Sequence, residues 1–148
     1  MAQVSRTFLV DCPAPRALAY LADFANATEW DPGTVACEPL TEPPVRVGSR
    51  WHNTSKVLGR TTELEYTLTT VEGERVVLEG RNDGSTTQDD LTARPAAGDR
   101  AEITYRATIT LTKGGAVGDL GTRLLLQYLA KKTVRQMTTV LAQQGGRA

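Results

Sequence analysis

The sequence predicts an α+β fold in which a long antiparallel sheet is covered on one face by a single C-terminal helix. Three observations carry that prediction. Between Gly33 and Thr112 the chain reads as short alternating segments punctuated by tight-turn residues. The connections between those segments are too short for parallel crossovers. From Gly118 to Gln144 runs the only long stretch with helical composition and spacing. A sheet apolar on one face and a helix with an apolar stripe must bury against each other, because neither is stable alone.

Val4 to Val10 is rich in β-formers and reads as the first strand, stopped by Asp11-Cys12-Pro13-Ala14-Pro15. Proline fits the first turn of a helix, and Ala17, Leu18, Leu21, Ala22 and Phe24 fall near helical spacing, so a short helix covers Pro15 to Asp23. Asn26 to Gly33 reads as a second helical turn or structured loop ended by Asp31-Pro32-Gly33. Strands follow at Thr34–Leu40, Ser49–Leu58, Thr61–Val71, Arg75–Asn82, Thr86–Ala93 and Ala101–Thr112. Gly59-Arg60, Glu72-Gly73-Glu74 and Asp83-Gly84-Ser85 supply hairpin turns between them, which makes a meander. Period 2 puts Ile103, Tyr105, Ala107, Ile109 and Leu111 on one side of the last strand, and Leu64, Tyr66 and Leu68 on the apolar side of theirs. Val76, Leu78 and Gly80 share that side in the next strand, although Val77 blurs the pattern. Lys113-Gly114-Gly115 reads as a joint between sheet and helix, and residues 1–148 read as one domain.

Composition removes several function classes. Basic and acidic side chains balance at 17 each, so no overall field recruits nucleic acid or an anionic surface. No apolar run approaches the roughly 20 residues that span a bilayer, and no signal peptide is visible, so a cytoplasmic protein without integral membrane association is expected. Cys12 and Cys37 lack CxxC spacing and are expected to be free thiols. With a single histidine, His52, no metal set is expected. Gly115 to Gly121 precedes a helix but lacks the phosphate-loop pattern and a following strand, so no cofactor is expected either.

The long helix is not one clean stripe. Between Leu120 and Leu129 apolar residues spread around most of the wheel, whereas Val134, Met137, Val140 and Leu141 cluster on one side. Either the helix bends near Ala130-Lys131-Lys132, or its first half is buried on several sides; on the second reading Leu124 and Tyr128 wall a cavity. Trp30, Trp51, Tyr66, Tyr105 and Tyr128 then fall along one lining, which is either core packing or ligand contact. Asn53 and Asn82 sit at inward phases as polar anchors for a ligand, or at strand ends in water.

Two side chains are weak catalytic candidates. Asp89, in phase with Leu91, is either an inward pocket acid or, as is commoner for such a residue, a strand-end carboxylate in water. Adjacent Asp90 points to the opposite face, so the two cannot share a proton as a dyad. His52 titrates near neutrality, but an inward Trp51 turns it outward. Lys131, Lys132 and Arg135 read as a solvated basic face.

Several local patterns resemble one family. Val10-Asp11-Cys12-Pro13-Ala14-Pro15, Leu21-Ala22-Asp23-Phe24 with Glu29-Trp30-Asp31-Pro32-Gly33, Val47-Gly48-Ser49-Arg50-Trp51, and Ala101 to Arg106 are similar to stretches of the START-like (SRPBCC, polyketide cyclase/dehydrase or Bet v 1-like) superfamily. The resemblance implies a helix-grip fold, with the sheet wrapped around the C-terminal helix, and a hydrophobic ligand such as a lipid, isoprenoid or polyketide between them. Three functions follow: a binding module; a cyclase/aromatase-type enzyme that folds its substrate and assists dehydration by acid and base; or an interaction protein with a filled core. The first is preferred, with Trp30, Trp51, Asn53, Tyr66, Leu78, Asn82, Tyr105, Leu124 and Tyr128 as ligand contacts, in a monomer or homodimer.

Overall fold

The structure is a computed structural model and describes residues 1–111 and 116–146, with 116–120 as backbone alone. The order is β1 (Ala2–Val10), α1 (Ala14–Ala22), a 3-10 turn (Phe24–Asn26), α2 (Ala27–Trp30), β2 (Thr34–Pro39), β3 (Arg50–Val57), β4 (Arg60–Glu72), β5 (Arg75–Arg81), β6 (Ser85–Ala96), β7 (Arg100–Leu111) and α3 (Ala116–Gly145). All strands join one antiparallel sheet in the order β1-β7-β6-β5-β4-β3-β2. The meander is as expected. The first strand closes its far side by pairing with the last, Ala2 opposite Ile109 and Val10 opposite Ala101.

β6 runs past its expected end at Ala93 and through Pro95. The ladder with β5 stops at Thr92, so Pro95 pairs only with Ala101 of β7 and its missing N–H interrupts no central ladder. Beside the register shift at Leu68/Thr70, Val76, Val77 and Leu78 are all buried, which is why alternation failed to sort Val77. The sheet-to-helix joint at Lys113 to Gly115 lies outside the described residues.

α1 starts with proline in its first turn and buries Ala14, Ala17, Tyr20 and Leu21 against one end of the sheet, touching β5, β6 and β7. The 3-10 turn is held by the Asp23 carboxylate, which accepts from the Ala25 N–H at 3.2 Å. α2 ends where Asp31 N–H donates to the Ala27 carbonyl at 2.8 Å. α3 packs chiefly along β1 and reaches α1 and α2. Its buried face is a single stripe of Ala130, Thr133, Met137 and Leu141. The reading that its first half is buried on several sides is overturned, because Leu124 is 65% and Tyr128 53% exposed. Lys132 Nζ lies 4.9 Å from the Tyr128 ring centroid, so that aromatic serves a surface cation–π contact. At the other end of α3 the backbone comes close to the β1–α1 connection: a Cβ on Gly145 would meet the Asp11 carbonyl oxygen at 2.0 Å.

Gly80 is required by close approach. A Cβ there would stand 2.7 Å from both Tyr66 Cζ and Thr87 Oγ1. The bare backbone lets the Tyr66 ring lie flat across β5 and reach β6. Gly80→Ala should therefore destabilise the fold by about 1–3 kcal/mol through overpacking. Urea unfolding followed by tryptophan fluorescence reports it, and an unchanged midpoint would show that the ring moves aside freely.

Candidate ligand-binding site

The inner face of the sheet is mostly a closed apolar surface. Leu68, Leu78, Leu91, Ala93, Ala101 and Ile103 have no exposure, and Phe24 enters their midst from the 3-10 turn. Phe24 is the centre of an aromatic group, with ring centroids 4.2 Å from Tyr66, 5.9 Å from Trp30 and 6.3 Å from Trp51. Trp30 in turn meets Tyr105 edge-on at 6.4 Å. These T-shaped and tilted pairs add to the area they bury. Sequence reading placed four of these five rings on one lining and counted Phe24 only toward the apolar stripe of the first helix, whereas α1 ends at Ala22 and the 3-10 turn carries the ring.

Into this surface the chain sets two carboxylates. Asp89 lies on β6 between Leu78 of β5 and Ala107 of β7, in phase with Leu91. Its side chain is half-buried where Leu78 and Leu91 are fully buried, and it has no hydrogen-bond or ion-pair partner among the described residues. Burial, and then the charge of Asp31, push its pKa up to about 8. Asp31, at the C-terminal end of α2, is also raised by burial, but it is opposed by hydrogen bonds from Thr34 and Gly33. Thr34 Oγ1 donates to Asp31 Oδ2 at 2.7 Å, Asn53 Nδ2 donates to Thr34 Oγ1 at 3.0 Å, and Ser55 Oγ donates to Asn53 Oδ1 at 2.7 Å. Asn53 is inward and buried as expected, yet its amide belongs to this chain of bonds, which fixes Asp31.

Two phenols complete the polar part. Tyr66 accepts from Thr87 Oγ1 at 3.0 Å. Burial raises the Tyr66 and Tyr105 hydroxyls well above the ordinary phenol range, the charges of Asp89 and Asp31 raise them further, and Thr87 and Thr133 respectively pull them back. Both phenols thus stay protonated at any working pH and can donate. The Trp30 Nε1 hydrogen is buried without an acceptor. Toward the end of β7 the inner face becomes less covered, with Ile109 half-buried and Leu111 39% exposed.

The other expected residues lie elsewhere. His52 is on the outer face, its Nε2 3.1 Å from Glu63 Oε1, in a pair that is largely in solvent. Asp90 also faces out, held by Arg75 through two bonds of 3.0 and 2.8 Å. Asn82 is a turn residue and not an inward anchor. Its Oδ1 accepts from Gly84 N and Ser85 N, both at 2.8 Å, and its Nδ2 donates to the Glu63 carbonyl. Leu124 and Tyr128 point into solvent and line nothing on the inner face. A groove of about 350 Å³ on the outer face is lined by Glu65, Thr67, Thr69, Glu79 and Arg81. Its charges are engaged, Glu65 with Arg50 and Glu79 with Arg81.

This arrangement, an antiparallel sheet with two short helices after its first strand and a long helix last, has a match in sequence. Residues 1–144 match the family described as polyketide cyclase / dehydrase and lipid transport. The chain belongs to that family. Its fold is similar to that of the Zhui aromatase/cyclase from Streptomyces sp. R1128 (TM-score 0.74, 14% identity, 98% of this chain and 93% of that one). It is likewise similar to a STAR-related lipid transfer protein from Xanthomonas axonopodis (0.74, 15%, 94% and 85%). A START superfamily protein from Mycobacterium smegmatis is a third such structure (0.71, 16%, 92% and 97%). No curated protein matches the sequence. At these identities the structural likeness speaks for the fold, which is START-like as the sequence motifs implied; function is argued from the site. No helix among the described residues is long and apolar enough to cross a membrane.

The raised pKa of Asp89 has a consequence for stability. The folded protein holds a proton that the unfolded chain, with an ordinary value of 3.8, gives up near pH 4. Stability attributable to this group is therefore full below pH 4 and is lost as pH rises through about 8. Asp89→Asn cannot ionise and escapes that loss. It should be more stable than the wild type at pH 9 by a few kcal/mol, on the order expected from linkage, with the advantage vanishing toward pH 4. Parallel melting curves across that range would mean that Asp89 is not a buried acid.

Proposed function

We propose that the protein binds a hydrophobic small molecule between the inner face of the sheet and α3, with Asp89, Tyr66 and Tyr105 meeting its polar atoms. The observation that carries this reading is the state of Asp89. A carboxyl group without a partner, set among fully buried Leu78, Leu91 and Ala93, is costly in a filled core. Its residual exposure means that something other than protein lies against it. A mostly apolar surface with a few convergent polar groups is the usual character of a small-molecule site. Family membership supports the same reading, and two free, buried thiols accord with a reducing, cytoplasmic setting.

A second reading, a cyclase/aromatase-type enzyme, draws on the same residue. A carboxyl whose pKa lies near 8 can give up and take back a proton near neutrality, which is what enolisation and dehydration of a keto chain require. Tyr105 and Tyr66 would hold the oxygen on which charge develops. Turnover of a poly-keto substrate, abolished in Asp89→Asn but not in Asp90→Asn, separates enzyme from carrier.

Native mass spectrometry of the protein purified from its own host tests the primary reading, with a co-purified hydrophobic mass as the expected result. Repeated ligand-free spectra, together with no thermal shift across lipid and polyketide panels, would overturn it. At residue level, Tyr105→Phe keeps the ring and removes the hydroxyl. It should weaken binding by roughly twofold to tenfold, the range of one hydrogen bond, while Glu102→Ala on the outer face does nothing. Equal effects in a titration would place the ligand elsewhere.

A further inference from the structure

The inner face shows a one-sided distribution of charge. Two carboxylates, Asp31 and Asp89, sit there, and the groups acting on the titration of Asp89 are burial and Asp31 alone. Asp31, Tyr66 and Tyr105 are likewise influenced by no basic side chain. The arginines of the neighbouring strands are turned outward: Arg75 to Asp90, Arg81 to Glu79 and Arg50 to Glu65. Arg6, half-buried on the inward phase of β1 opposite Tyr105, turns its guanidinium aside to two neutral acceptors, Gln127 of α3 at 2.5 Å and the Ser5 carbonyl at 2.8 Å. The remaining polar groups are donors in search of acceptors. The Trp30 indole N–H has none, and it belongs to the ring that packs edge-on against Tyr105. The Tyr66 hydroxyl already accepts from Thr87, which leaves its own hydrogen to give.

From this distribution we infer that the site selects an uncharged apolar ligand bearing an acceptor oxygen, such as a ketone, quinone or ester, and rejects the carboxylate analogue of the same chain. The inference rests on the ligand-binding reading above and narrows it. A ligand anion would enter beside Asp31 in surroundings of low dielectric, where among the described residues no basic side chain acts on Asp31, Asp89, Tyr66 or Tyr105. A ligand ammonium would be drawn to Asp31 but would set N–H against the indole and phenol donors. A neutral acceptor satisfies the donors and leaves the carboxylates as they are.

A matched set of twelve-carbon probes tests this, each displacing the neutral dye Nile red from the intact protein at pH 7. The set is methyl dodecanoate, dodecanoate, dodecylamine and dodecane, used below their aggregation limits. Methyl dodecanoate should bind at least tenfold more tightly than dodecanoate and several-fold more tightly than dodecane. The ester-to-anion ratio should rise again between pH 7 and pH 9 in the wild type and stay flat in Asp89→Asn. The groups facing Asp89 are Asp31, Tyr66 and Tyr105, and the phenols do not ionise in that window. Dodecanoate or dodecylamine binding as tightly as the ester would overturn the proposed class, and dodecane equal to the ester would remove the need for an acceptor. Absence of Nile red binding together with failure of every probe would instead overturn the binding reading itself.

Discussion

A mismatch of widths governs this molecule. Seven hydrogen-bonded strands span about 29 Å at their usual spacing, whereas a helix with its side chains is only about 10–12 Å across. One helix cannot cover such a sheet. α3 covers what it can along β1 through Ala130, Thr133, Met137 and Leu141, and α1 closes one end through Ala17 and Leu21. The middle of the inner face is filled by Phe24 and Trp30 from the segment after α1, with Phe24 edge-on to Trp51 of β3. What these elements leave is the strip that holds Asp89, Tyr66 and Tyr105. The site is thus the remainder of a covering problem: the Tyr66 and Tyr105 rings are packed on Phe24 and Trp30, and Asp89 beside them keeps part of its surface uncovered.

Within the strip, two carboxylates are kept apart in character by their neighbours. Asp31 is clasped by Thr34 and the Gly33 N–H, with Asn53 and Ser55 behind, so its charged form is favoured by fixed donors against the burial that raises it. Asp89 has no such support and holds its proton to about pH 8. Different hydrogen bonding on one apolar surface therefore treats the two carboxyls differently: donors from Thr34 and Gly33 oppose the rise at Asp31, and none opposes it at Asp89. Cys37, next to this network, is pushed up to about 11, chiefly by burial, and stays a thiol.

Much of the fold was legible because strand alternation and turn residues are local signals. The meander, the inward phase of Tyr66, Leu78, Asp89 and Tyr105, and the outward turn of His52 beside Trp51 all follow from period 2. The errors lie where local signals run out. Asn82 kept its strand phase on paper, but at a strand end the amide found turn N–H groups closer than any ligand. Leu124 and Tyr128 belong to turns that are apolar around most of the wheel, and periodicity cannot say which side of such a turn a sheet will cover. Asp31, ahead of Pro-Gly, looked like a turn residue. Its influence on Asp89 arises only when the sheet brings β6 to the side of the fold where α2 packs on β2, a contact no short window contains.

The close seating of Gly145 against Asp11 gives α3 a mechanical polarity. Its last turns are wedged where no side chain fits, and Arg16 reaches across to the Gln144 carbonyl at 3.0 Å. Residues 121–129, at the opposite end, carry mostly exposed or half-buried side chains. Opening free energy follows buried contact, so it should fall along this one helix from the C-terminal end towards the N-terminal end. The element works as a cantilever: fixed at its C-terminal end, and most compliant in the turns before Ala130, where it contributes least to the core.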